Sequence, residues 1–224
     1  MTPVAAAPGA PPLGDRVRLR RMSAGGKLPG TPEPMHWWAG TGGLRIAGDT
    51  CGDPTARLVV LLHGGGQTWH AWKDTALRLA STGYRVAAFD ARGHGDSDWA
   101  PDGAYGHRVM ALDLKHVLES LGDAHPVLVG ASLGGGTALV AVGEGVVDAS
   151  ALILVDVAPF IESAGVDRIH AFMNQQPDGF ESLESVADAS ASYQPHRTRL
   201  RPALLTQRVR LCLRCRSHGR RRPQ

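Results

Sequence analysis

The sequence predicts an α/β protein built on a doubly wound, mostly parallel sheet. Four short apolar runs carry no polar alternation, at residues 58–62, 86–89, 127–129 and 152–155. Runs of this kind suit strands buried on both faces of a parallel sheet. Helix-like stretches separate them, at 71–81, 106–121 and 133–143. Strand and helix therefore alternate, as in a parallel sheet with helices on both sides. A glycine-rich segment follows each of the first three runs. In open α/β sheets that position, at the carboxyl ends of the strands, is where ligands bind.

The elements follow in chain order. Residues 1–34 are rich in Ala, Pro and Gly and lack periodicity, so they read as a disordered leader. Its arginines, Arg16, Arg18, Arg20 and Arg21, are not followed by an apolar segment, so no secretory signal is expected. The folded core is expected over 35–160. Trp37 and Trp38 open it, residues 44–47 suit a short edge strand, and Asp53-Pro54 suits a turn. After Asp156-Val-Ala-Pro159 two short amphipathic helices are expected, at 167–176 and 180–191, within a segment spanning 161–194. From 195 to 224 the chain is Arg-dense, without acids or a bounded strand run, and reads as a disordered tail.

Bulk properties narrow the class. A chain of 224 residues, 43% of them hydrophobic, suits one domain of an ordinary globular protein. No run approaches the ~18 apolar residues of a membrane span. Cys51, Cys212 and Cys215 make no disulfide framework, which suits a reducing cytoplasm. The net charge of +3 hides a split: up to Gln194 there are 14 basic residues against 21 acidic ones, while the tail adds ten arginines. That tail has no interleaved aromatic residue and no recognisable module, so a specific nucleic-acid partner is not expected. Cys212-x-x-Cys215-x-x-His218 lacks a fourth ligand nearby, and no metal site is expected.

Three motifs carry the chemistry. Gly130-x-Ser132-x-Gly134 lies where an apolar run gives way to a helix-like stretch, the context in which G-x-S-x-G is informative. The flanking positions of so tight a turn have no room for side chains, which glycine satisfies. The serine is lifted above the sheet edge, and the next helix aims its N-terminus at developing negative charge. Upstream, Leu-Val-Val-Leu-Leu ends in His63-Gly64-Gly65-Gly66, and a second run ends in Asp90-x-Arg92-Gly93-His94-Gly95-x-Ser97.

Taken in this order over residues 43–159, the three motifs resemble the α/β-hydrolase superfamily, and most of all its serine-nucleophile esterase and haloperoxidase-like group. Related epoxide hydrolases and haloalkane dehalogenases carry Asp at the elbow, so Ser132 argues against those two chemistries. The resemblance implies acyl transfer from a small ester or related carbonyl substrate through Ser132 to water, with no cofactor. It implies oxyanion donors at the Leu133 and Gly65 backbone N–H groups. His63, Gly64, Gly66, Asp90, Arg92, His94, Gly130 and Gly134 then form the turn scaffold. His63 orders its turn rather than acting as base, and for His94 a direct substrate contact is the alternative. Trp69 and Trp72 suit either an acyl pocket or core packing.

The family order is Ser, then Asp or Glu, then His. Downstream of Ser132 only the run at 152–155 reads as a strand, so the fold reads as incomplete on its C-terminal side, by truncation or a shifted frame near Pro195. By order alone the acid candidates are Asp156 and Asp178, and the base candidates are His196 and His218. Asp156 ends a strand, although a helix N-cap or loop carboxylate would sit there equally well. The segment 161–194 would begin a helical cap. A reading from another class stands beside this one: a catalytically impaired fragment or binding protein that keeps the elbow without the Asp/His relay. The oligomeric state is not expressed in the sequence.

Overall fold

The computed structural model describes residues 32–157 and 163–175, residue 180, and residues 182–199 apart from 194 and 197. Most of the expected leader, Asp178, and the tail with Cys212, Cys215 and His218 lie outside the described residues.

Six strands form one sheet: β1 (His36–Ala39), β2 (Arg45–Cys51), β3 (Leu58–Leu62), β4 (Arg85–Phe89), β5 (Val127–Ala131) and β6 (Ala151–Val155). Their spatial order is β1-β2-β4-β3-β5-β6. The β1–β2 and β2–β4 pairs are antiparallel. The β3–β4, β3–β5 and β5–β6 pairs are parallel. The sheet is therefore mostly parallel, and the helices α1 (Lys73–Ser81), α2 (His107–Leu121) and α3 (Leu133–Gly143) provide its crossovers. Two further helices, α4 (Ser163–Asn174) and α5 (Leu183–Tyr193), follow β6 at nearly the expected places. The Phe172 and Tyr193 rings stack at 4.2 Å between centroids and tie these two together.

The core sits on both faces of the central strand. Every residue of β3 is buried. Leu58, Val60 and Leu62 face the cluster built with α2 and α3. Val59 and Leu61 face the opposite cluster, beneath α1. In α2 the buried residues Met110, Ala111, Leu114, Val117, Leu118 and Leu121 recur at helical spacing and make one apolar stripe. The helix stops at Gly122, whose φ of 71° is the left-handed cap that glycine adopts without strain. In α3 the buried residues are small, namely Gly134, Gly135, Thr137, Ala138 and Ala141, which lets it lie close to the sheet and to α2.

Two expectations are corrected. The strand expected at an edge over 44–47 is β2, which lies inside the sheet between β1 and β4. The segment before it folds back as β1, with Trp37 opposite Ala47 and Trp38 opposite Ile46, and takes the edge instead. Second, β6 is not buried on both faces. Ile153 and Val155 are 49% and 40% exposed. They share a face with Val129 and Ala131 of β5, the α1 side of the sheet. Helix α1 packs on β4, β2 and the turn before it. Among the described residues no element covers β6 on that face.

Candidate active site

The parallel register places Leu62 of β3 beside both Phe89 of β4 and Gly130 of β5. The three motif segments therefore leave the sheet at one level, at the carboxyl end. Ser132 lies between β5 and α3 with φ 44° and ψ −109°, a conformation that costs a non-glycine residue about 1–3 kcal/mol. Its surroundings hold it there. A Cβ on Gly130 would lie 2.6 Å from the Gly134 oxygen, and one on Gly134 would lie 2.5 Å from the Leu62 oxygen. Both motif glycines are thus required by contact with backbone. The Ser132 N–H donates to the Val155 oxygen (3.1 Å), and the Gly134 N–H donates to the His63 oxygen (3.1 Å). Ser132 is exposed and caps α3 without a side-chain hydrogen bond.

The turn at 63–66 packs against this elbow. A Cβ on Gly64 would lie 3.5 Å from the Ser132 Cβ, and one on Gly65 would lie 4.0 Å from the Leu133 Cβ. Gly66 completes the turn at φ 71°. The Gly64 N–H donates to the Gln67 Oε1 (3.2 Å). Among the described residues the N–H groups of Gly65 and Leu133 have no acceptor. Leu133 opens α3 and Gly65 packs beside it, and neighbouring N–H groups without acceptors at a helix N-terminus suit an anionic oxygen.

His63 holds the turn from below. Its ring is fully buried, with Nδ1 2.8 Å from the Gly64 oxygen. The Ala91 N–H donates to its Nε2 at 3.0 Å. A carbonyl only accepts and a backbone N–H only donates, so the ring is neutral with its proton on Nδ1. Burial depresses its pKa to about 4. A ring so engaged has no free lone pair for a reacting proton.

Asp90 fastens the next loop. Its carboxylate accepts the Trp69 N–H (2.8 Å) and the Asp96 N–H (2.8 Å). Burial nevertheless raises its pKa to about 6, outweighing those two donors. Its nearest approach to the His63 Nε2 is 3.9 Å, which with a neutral ring is no ion pair. His94 is half-buried with its ring 5.1 Å from that of His63. Burial, and then the neighbouring His63, hold its pKa below the usual imidazole range. Arg92 forms a buried bidentate pair with Asp113 of α2, at 2.6 and 2.7 Å. It also donates to the Ala104 and Thr41 oxygens.

The acid and base candidates separate. Asp156 directly follows Val155, whose oxygen receives the Ser132 N–H. It is exposed, and its φ is 54°. Ser132 and Asp156 are the two non-glycine residues with positive φ among the described residues, and they adjoin. Helix α4 begins at Ser163, so Asp156 is not its N-cap. His196 is exposed, and among the described residues no hydrogen bond or ion pair joins it to Ser132 or Asp156. Trp69 belongs to the core cluster beneath α1, and Trp72 packs against it. Both indoles thus pack on the α1 side of the core.

Sequence reading missed three residues near the elbow. Asp113 is one, signalled only by a charged residue on the apolar stripe of α2. Gln67 is the second. His107 is the third: it opens α2, lies 3.2 Å from the Thr137 Oγ1, and stands over Gly136 one helical turn beyond Ser132. Among the described residues no cluster of His, Cys, Asp and Glu could hold a metal ion, and no helix is long and apolar enough to cross a membrane.

Comparison with known proteins bears on the family and the fold. The family model for the alpha/beta hydrolase fold matches residues 57–214. An esterase of Mycobacterium tuberculosis is 35% identical over 155 residues, covering 64% of this chain and 49% of the relative. The sn-1-specific diacylglycerol lipase of Mus musculus is 38% identical over 124 residues, covering 54% and 39% respectively. The chain thus spans about half or less of the length of these relatives. Among solved structures, an alpha/beta hydrolase from Novosphingobium aromaticivorans superposes with a TM-score of 0.64 at 28% identity, covering 77% of this chain and 61% of that one. A matched segment that runs through all three motifs, on a sheet of this strand order, means that the chain belongs to the alpha/beta hydrolase fold family.

Proposed function

We propose that this protein is a hydrolase of small esters or related carbonyl compounds, with Ser132 as nucleophile. The observation that carries the reading is a strained, exposed serine next to Leu133 and the Gly65 turn, whose N–H groups have no acceptor among the described residues. The Ser132 oxygen attacks the carbonyl carbon while a base takes its proton. The resulting oxyanion accepts from Gly65 and Leu133, each donor contributing about 3 kcal/mol to the transition state. Collapse expels the alcohol, which takes up the proton and leaves an acyl-serine. Water then attacks this ester through the same oxyanion, releasing the acid and restoring Ser132. No cofactor enters the scheme. Perhydrolysis, with peroxide replacing water, is the haloperoxidase-like variant of the same chemistry.

Asp156 is the acid in this proposal, supported by its place beside the elbow. His196 remains the candidate base by chain order. In this proposal helices α4 and α5 begin the helical cap. A second reading has its own support: among the described residues no histidine is hydrogen-bonded to Ser132, while His63 and His94 are tied to backbone. Under it the chain is a catalytically impaired fragment or a binding protein.

Two measurements separate the readings. Intact mass after treatment with a fluorophosphonate should show one adduct, absent in Ser132→Ala. Hydrolysis of a short p-nitrophenyl ester should be slow and should vanish in Ser132→Ala. Robust turnover lost in His196→Ala would assign the base. No adduct, or turnover indifferent to Ser132→Ala, would leave the binding reading standing.

A further inference from the structure

We propose that Gln67 gives the bound acyl group a third hydrogen-bond donor, so that the site favours acyl chains with a second oxygen next to the scissile carbonyl. The proposal rests on Ser132 being the nucleophile.

Gln67 closes the turn that begins at Gly64. Its N–H donates to the Gly64 oxygen at 3.1 Å. In return the Gly64 N–H donates to the Gln67 Oε1 at 3.2 Å. The second bond orients the side chain, because a backbone N–H requires the amide oxygen opposite it. Nε2 and its two N–H groups then point elsewhere. Gln67 is exposed, and among the described residues its Nε2 has no acceptor. The location follows from the missing side chain of Gly64. A Cβ there would lie 3.3 Å from the Gln67 Oε1, 3.6 Å from its Cδ and 3.5 Å from the Ser132 Cβ. The carboxamide and the serine therefore flank the same gap, which glycine leaves open.

The donors are thereby divided among three residues. The Gly64 N–H is occupied in orienting Gln67, and Gly65 and Leu133 serve the oxyanion. The Nε2 group belongs to the same carboxamide whose Oε1 and Cδ border the gap beside Ser132, and it is the donor left for a neighbouring atom. An amide N–H only donates, so its partner must be an acceptor: an ether, hydroxyl or carbonyl oxygen on the carbon next to the ester carbonyl. A purely hydrocarbon chain would leave Nε2 to solvent and gain nothing from it.

The test uses two esters of equal shape, p-nitrophenyl butyrate and p-nitrophenyl methoxyacetate, which differ by an oxygen in place of a methylene. Acylation of Ser132 in the full chain is followed by intact mass and by first-turnover nitrophenolate release. Gln67→Leu removes both amide functions. Gln67→Glu keeps an acceptor for the Gly64 N–H but removes the donors. The methoxyacetate-to-butyrate rate ratio should fall about 5- to 10-fold in both variants, the scale of one neutral hydrogen bond. Unchanged ratios would overturn the proposal. So would equal slowing with both esters in Gln67→Leu and wild-type behaviour in Gln67→Glu, since Gln67 would then only hold the turn. Failure of both esters on a Ser132 that a fluorophosphonate does label would also overturn it. If the fluorophosphonate fails as well, the nucleophile reading itself has failed, a separate result.

Discussion

Replacing Asp90 by Asn should change how stability depends on pH, and the sign is set by two buried neighbours that titrate in opposite senses. Asp90 has a folded pKa of about 6, above its ordinary 3.8. Between those values the folded state holds the extra proton, so this group's contribution falls as pH rises. At 1.36 kcal/mol per pKa unit the loss is about 3 kcal/mol. His63 has a folded pKa of about 4, below its ordinary 6.5. Here the unfolded chain holds the extra proton, so stability rises with pH through that window, again by about 3 kcal/mol. The windows overlap and the two contributions nearly cancel in the wild type. Asp90→Asn removes the falling contribution. Its urea-unfolding free energy should therefore climb by about 3 kcal/mol relative to wild type between pH 4 and pH 6.5, whatever the absolute cost of the substitution. His63→Asn should show the opposite trend, falling relative to wild type over the same range. Parallel curves for wild type and Asp90→Asn would mean that Asp90 titrates normally, and that the turn is held by something other than a buried carboxylate.

Two further outcomes follow from the same geometry. Ser132→Gly should be more stable than Ser132→Ala by about 1–2 kcal/mol in thermal or urea unfolding, because only glycine relaxes the strain at φ 44°; equal stability would mean that the elbow is unstrained. Arg92→Met and Asp113→Leu should each cost about 3–5 kcal/mol, because each leaves its buried partner without its counter-charge, and the double variant should cost much less than their sum. Additive losses in that cycle would show that the two side chains act independently.

Local chemistry was legible along the chain because its causes are local. The apolar runs of β3, β4 and β5 and the limits of α3 follow from residue type and spacing alone. So does the elbow, since the room available at Gly130 and Gly134 is decided by residues within a few positions and by the adjoining strand end. The HGGG turn and the Asp90 loop were legible as motifs, though not as the hydrogen-bonded pair they form through His63 and Ala91.

What stayed hidden depends on residues far apart in sequence. Whether β2 is an edge or an interior strand is decided by β1 folding back beside it. The apolarity of β6 suits a buried strand, yet what covers a strand is a property of other segments, and here Ile153 and Val155 remain exposed. Asp113 reads as an anomaly on an apolar helix face until Arg92, 21 residues away, meets it. Gln67 reads as loop polarity until the Gly64 N–H turns its amide. Residue type and spacing thus determined which chemical groups this protein carries and which local turns present them. Only the tertiary structure decided their proton states, their partners and their exposure, because burial and hydrogen bonding are set by neighbours that chain order does not bring together.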